Sequence, residues 1–188
     1  GGGTITVGNG ATFGGTGSTT GPLILNTGSA VSPGASPGIL NVGATTFAGG
    51  AHFAFEINST SAAPGVGWDL LSISGALTIT ATPVNPFIID LTSLNLSNNA
   101  ALLANFTNTG TYSWQFVATT GGVTGFNVGS FQYNASQFQN SLGTGHFFVS
   151  ESSGNLFLNF TPVPEPSTYA LLALGLGVIV VLSRRRRS

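Results

Sequence analysis

Along its first half the chain alternates short β-prone runs with turns rich in Gly, Asn, Ser and Pro. The runs are Thr4 to Val7, Leu23 to Asn26, Ile39 to Val42, His52 to Ile57, Leu70 to Ser74 and Phe87 to Leu91. In His52 to Ile57 the apolar residues fall on alternate positions, Phe53, Phe55 and Ile57, the period of a strand with one buried face. No 3.6-residue helical period separates the runs. Their centres, Ile5, Ile24, Leu40, Phe55, Ser72 and Ile88, follow one another at 15 to 19 residues. This loose repeat predicts the stacked coils of a β-solenoid, and regularly spaced short strands also suit an antiparallel sandwich. Ser32-Pro33-Gly34 and Ser36-Pro37-Gly38 form a doubled turn, Pro fixing φ and Gly admitting positive φ, which predicts a loop over 31–38.

Residues 98–161 hold most of the large aromatics. Tyr112 to Ala118 alternates aromatic with small or polar residues and predicts a half-buried strand. Phe147 to Glu151, Ser152-Ser153-Gly154 and Asn155 to Phe160 predict a β-hairpin. An open end of a solenoid exposes unpaired backbone and apolar interior, so the expectation is an all-β chain with repeats over 1–97 and a hairpin-rich cap over 98–161.

The chemistry then changes abruptly. Residues 162–168 contain Pro162, Pro164 and Pro166, which forbid a regular helix or central strand and predict an extended spacer. From Tyr169 to Leu182 there is no charge, and Ser183 and four arginines, Arg184, Arg185, Arg186 and Arg187, follow. Fourteen helical residues span about 21 Å against a hydrocarbon core of about 30 Å. Snorkelling arginine stems and a locally thinned bilayer supply the missing length. The expectation is one short transmembrane helix over 169–183, contacting the lipid bilayer, and a basic cytoplasmic tail over 184–188, which places everything before Tyr169 outside the cytoplasm.

Composition sharpens this picture. Only 5% of the residues are charged, and the body carries Glu56, Asp69, Asp90, Glu151 and Glu165 with no Lys or Arg before Arg184. Without cations to neutralise phosphates, nucleic acid is excluded as a partner of the body. The absence of Cys removes disulfides, thiolate metal sites and redox chemistry. The opening, Gly1-Gly2-Gly3-Thr4, carries no export signal and reads as the middle of a strand-and-turn pattern, so further sequence is expected upstream.

Candidate catalytic and metal residues are few. His52 and Glu56 have the spacing of a zinc-binding helix, but on a strand four residues separate them by about 13 Å. A triad from His52 or His146, Asp69 or Asp90 and a serine lacks any supporting Gly-x-Ser-x-Gly. Asp69 and Asp90 are too few for calcium, which takes six to eight oxygens. The expectation is therefore no cofactor, no metal and no enzymatic activity. The rival reading is a carbohydrate-binding or carbohydrate-active protein on a β-helix scaffold, which needs two of Glu56, Asp69, Asp90 and Glu151 within about 10 Å in one cleft. Five Asn-x-Ser/Thr triplets begin at Asn58, Asn95, Asn105, Asn134 and Asn159.

Val163-Pro164-Glu165-Pro166-Ser167, the apolar stretch and the terminal arginines together resemble the PEP-CTERM sorting signal of bacteria that secrete extracellular polysaccharide. The resemblance covers about residues 162–188. It implies recognition through Pro164, Glu165 and Pro166 by exosortase, a membrane-embedded cysteine transpeptidase, with arginines 184–187 as the membrane stop. The implied fate is anchoring in the inner membrane, cleavage near the motif, and transfer to the cell surface or matrix, where extracellular polysaccharide is a further partner. A second resemblance covers roughly residues 3–95. Gly10 to Gly17, the Ser-Pro-Gly pair, Phe55-Glu56-Ile57-Asn58 and Trp68-Asp69-Leu70-Leu71 look like autotransporter-associated β-strand repeats. That resemblance implies a right-handed parallel β-helix with a structural or adhesive role. The translocating barrel of an autotransporter is replaced here by the apolar stretch and arginines, so self-transport is not implied.

Overall fold

The computed structural model describes residues 2–163. Fifteen strands are present among them. They are β1 (Ile5–Val7), β2 (Thr12–Gly15), β3 (Leu23–Leu25), β4 (Ala30–Pro33), β5 (Ile39–Val42), β6 (Thr45–Phe47), β7 (His52–Ile57) and β8 (Leu70–Ile73). The remainder are β9 (Leu77–Ile79), β10 (Phe87–Ser93), β11 (Tyr112–Thr119), β12 (Val123–Thr124), β13 (Phe131–Gln137), β14 (His146–Ser152) and β15 (Asn155–Thr161). A single 3-10 turn, Val128–Ser130, precedes β13. The fold is all-β. Among the described residues no helix is long and apolar enough to cross a membrane; the expected span at 169–183 and the basic tail at 184–188 lie outside them.

The strands form three five-stranded sheets, in the orders β1-β3-β6-β9-β12, β13-β10-β7-β4-β2 and β14-β15-β11-β8-β5. The chain visits the first, second and third sheets in turn and then returns to the first. The first circuit reaches the third sheet only as a bridge between Ser18 and Asn41. Ten of the twelve strand pairings are parallel, an arrangement that an antiparallel sandwich does not contain. The two antiparallel pairings belong to β15, which lies between β14 and β11.

Alternation decides which side chains meet inside. In β7, Phe53, Phe55 and Ile57 are buried while His52, Ala54 and Glu56 are half-exposed. Parallel register then stacks like positions, so that Phe13, Val31, Phe53 and Ile89 follow one another across the second sheet. The core is a column of such rows with aromatics at its middle: Phe47 stacks on Phe87 at 4.2 Å, and Phe116 of β11 meets Phe53 edge-on at 5.2 Å. Most of the aromatics expected near the C-terminal end pack inward, including Phe106, Trp114, Phe131, Phe138, Phe147 and Phe160.

The corner from the first sheet to the second is the most regular. Gly10, Gly28 and Gly50 repeat there with φ of 77°, 74° and 72°, the left-handed region that glycine enters without steric cost. Their backbones are laddered, Gly10 N–H donating to Gly28 O at 2.8 Å and Gly28 N–H to Gly50 O at 2.7 Å. One side chain at this corner is at odds with its surroundings. Ser29 is fully buried and its hydroxyl has no partner, whereas the residues after Gly10 and Gly50 are Ala11 and Ala51. Ser29→Ala is expected to raise stability by about 1–2 kcal/mol by removing an unsatisfied buried hydroxyl, readable as an increased denaturation midpoint at unchanged slope.

Two sequence expectations are corrected. Residues 31–33 are not loop: they belong to β4, with Val31 wholly buried, and the turn is confined to 34–38, where Gly34 and Ser36 have φ of 87° and 96°. The repeat is also not a uniform 15 to 19 residues. Ile5 pairs with Leu23 eighteen positions on, Leu23 with Thr45 twenty-two on, His52 with Ile88 thirty-six on and Leu71 with Val117 forty-six on. The circuits lengthen mainly at one corner, from the second sheet to the third, where the connections are 34–38, 58–69, 94–111 and 138–145.

Candidate sorting segment and its exit from the body

The final strand determines where the tail leaves. Ser152 pairs with Asn155 across Ser153 and Gly154, whose φ values of 51° and 77° suit a tight two-residue hairpin, as the sequence predicts. β15 then runs back beside β14 until Thr161 faces His146, and Phe160 faces Tyr112 at the start of β11. The chain therefore emerges at the corner between the second and third sheets. There the Thr144 hydroxyl donates to the Val163 carbonyl at 2.6 Å, clasping the last described residue to the 138–145 loop. Nothing in the sequence marks this bond between residues nineteen positions apart.

Among the described residues the four acidic side chains occupy different settings. Asp69 is fully buried, and its Oδ1 and Oδ2 accept backbone N–H groups from Gly38 and Glu56, both at 2.8 Å. Burial pushes its carboxyl up to about 8 against the opposing pull of those two amides, and the nearby Glu56 charge adds to the rise. It ties β7 to the turn before β5, a structural duty. Asp90 lies on the outer face of the second sheet, where Oδ2 meets His52 Nδ1 at 2.7 Å and Oδ1 accepts from Asn134 Nδ2 at 2.8 Å. Glu56 shares the partly exposed face of β7 with His52. Glu151 sits beside the hairpin tip, accepting from Gly154 N–H.

Of the His and Asp residues considered for a triad, the structure thus brings His52 and Asp90 together, across strands whose register spans a circuit of thirty-six residues. Among the described residues no three His, Asp or Glu side chains gather in a way that could hold a metal ion. Of the Asn-x-Ser/Thr triplets, Asn58 and Asn159 are buried, and the Asn134 amide is engaged by Asp90.

Residues 162–187 match the PEP-CTERM protein-sorting motif. The matched span takes in Pro164, Glu165 and Pro166 and Arg184, Arg185, Arg186 and Arg187, all of which lie outside the described residues. The PEP-CTERM motif carries with it an exosortase partner, export, and membrane anchoring before processing. No curated protein matches the chain.

Proposed function

We propose that this chain is a structural or adhesive protein of the bacterial surface or extracellular matrix, delivered there through exosortase and not itself an enzyme. The PEP-CTERM match at 162–187 carries the reading. In it, Pro164, Glu165 and Pro166 are the recognised motif, 169–183 the lipid-embedded anchor and Arg184 to Arg187 the cytoplasmic stop.

The body suits a passive role at the surface. Its fold on this reading is a right-handed parallel β-solenoid, supported by the cyclic visiting of three sheets with parallel register and by the strong preference of parallel crossovers for the right hand. Repeats akin to autotransporter passengers occupy 1–97, and 98–161 is the cap. That role is supported by the antiparallel β14–β15 hairpin, which ends the third sheet, and by Tyr133, whose hydroxyl accepts from the Val149 N–H of β14 at 2.8 Å. Glu56 and Asp69 are neighbours, but Asp69 is fully buried and bonded to two backbone amides, which supports the non-enzymatic reading. A neutral surface rich in hydroxyls and amides is compatible with a matrix of extracellular polysaccharide.

Intact-mass analysis of surface-exposed protein tests the proposal. The mature form is expected to have lost everything beyond the Pro164-Glu165-Pro166 region. Replacing those three residues with alanine is expected to leave a full-length, membrane-bound form. A surface form that retains Arg184 to Arg187 would make the tail a plain anchor and overturn the processing reading.

A further inference from the structure

The large apolar side chains exposed among the described residues are sorted by corner. Val66, Leu96 and Leu102 lie in the connections from the second sheet to the third, Ile39 opens β5 beside them, and Val163 leaves β15 at the same corner. Val84 and Val128 sit at the corner between the first and second sheets, and none lies at the corner between the third and first. The connections that carry the first group are tied to one another. Ile39 packs over Gly65, next to Val66. Asn98, two residues after Leu96, donates to the Ser36 carbonyl and accepts from Asn58 Nδ2. Leu103, next to Leu102, exchanges two hydrogen bonds with Asn140 at 2.7 and 3.1 Å, in the loop whose Thr144 clasps Val163.

This corner, like the other two, presents no exposed ionisable group in its connections. The connections 34–38, 58–69, 94–111 and 138–145 contain one ionisable acid, Asp69, and it is fully buried. His146 is exposed where β14 begins, while Glu151 lies toward the far end of that strand. The described part of this corner therefore exposes apolar side chains among neutral amides and hydroxyls, and bringing it to a lipid headgroup layer desolvates no carboxylate of its own; the nearest in sequence, Glu165, lies in the tether.

The tether is short. Residues 164–168 separate Val163 from Tyr169, and six extended steps reach about 20 Å. β14 alone, at seven residues, is about 23 Å long. A body anchored through 169–183 consequently keeps the corner with the exit within about 20 Å of the bilayer.

We propose that this corner is a lipid-contact surface, on which Val66, Leu96 and Leu102 rest at the level of the outer headgroups while the tail is intact. The inference rests on the reading that 169–183 insert into the membrane. A few apolar side chains are too weak to hold a free body there, but a short tether raises their effective concentration to about the millimolar range. The contact is populated in the anchored form and lost on cleavage, and it keeps the Pro164-Glu165-Pro166 segment close to the membrane plane.

The absence of cysteine makes a clean test possible. Full-length chains carrying Leu102→Cys, or Thr78→Cys on the outer face of the first sheet as reference, are labelled with an environment-sensitive fluorophore. They are then reconstituted into phosphatidylcholine and phosphatidylglycerol vesicles doped with spin-labelled lipid. Both replaced side chains are exposed, Leu102 by 62%, so the fold is undisturbed. Both proteins should float with the vesicles, and quenching at position 102 should exceed that at 78 by about three-fold or more. Adding Val66→Asp and Leu96→Asp should bring it down to the reference level. Equal quenching at the two positions in floated vesicles would overturn the contact while leaving the anchor standing. Failure to float would overturn the anchor, and the contact with it.

Discussion

Phe116→Ala should cost about 3–5 kcal/mol of folding stability. Phe116 projects from β11 of the third sheet and meets both Phe53 and Phe55 of the second, at 5.2 and 6.4 Å with rings nearly perpendicular. All three rings are fully buried, so the cavity would open where two sheets face each other and neither could collapse without shifting its parallel register. The measurement is the free energy from denaturant unfolding. A loss below about 1 kcal/mol would mean that the rings do not form the joint between sheets described here.

Stability should also fall as pH rises, because of one buried acid. Asp69 has a folded pKa of about 8 against 3.8 for the free side chain. Between those values the folded state retains a proton that the unfolded state releases, and stability declines with pH wherever the folded state binds more protons. The contribution is fully present below about pH 4, fades as pH rises toward 8, and is flat above. Its full span is on the order of 5 kcal/mol, or roughly 10 °C in melting temperature for a chain of this size. Asp69→Asn should remove this slope. Asp69→Ala should in addition orphan the buried Gly38 and Glu56 amides, costing about 2–5 kcal/mol even at pH 5. A melting curve equally pH-dependent in Asp69→Asn and in the unaltered protein would sink the assignment.

Legibility in the sequence followed the range of the interaction. β7 was readable because Phe53, Phe55 and Ile57 alternate within six residues, and the β14–β15 hairpin because its turn is local to Ser153 and Gly154. β2, β6 and β9 carry too little local signal to be read. Thr12–Gly15, Thr45–Phe47 and Leu77–Ile79 are three or four residues long and become strands only through neighbours in adjacent circuits. β4 was hidden by Pro33, which reads as a turn residue yet ends a strand. Unequal connections concealed the true register, which is what selects Asp90 rather than Asp69 as the partner of His52. The sorting segment was plain because its signal is chemical contrast within 26 residues and needs no tertiary partner.

The position of β15 bears on how the molecule withstands tension. Its seven residues are bonded on one flank to β14 and on the other to β11, and the tail continues from its C-terminal end. A pull through the tail therefore acts along a strand with ladders on both sides, perpendicular to the bonds that resist it. Those bonds share the load in shear and must yield together, whereas a strand at the rim of a sheet could be unzipped one bond at a time. Tension applied through the tail is thus borne by a strand paired on both flanks.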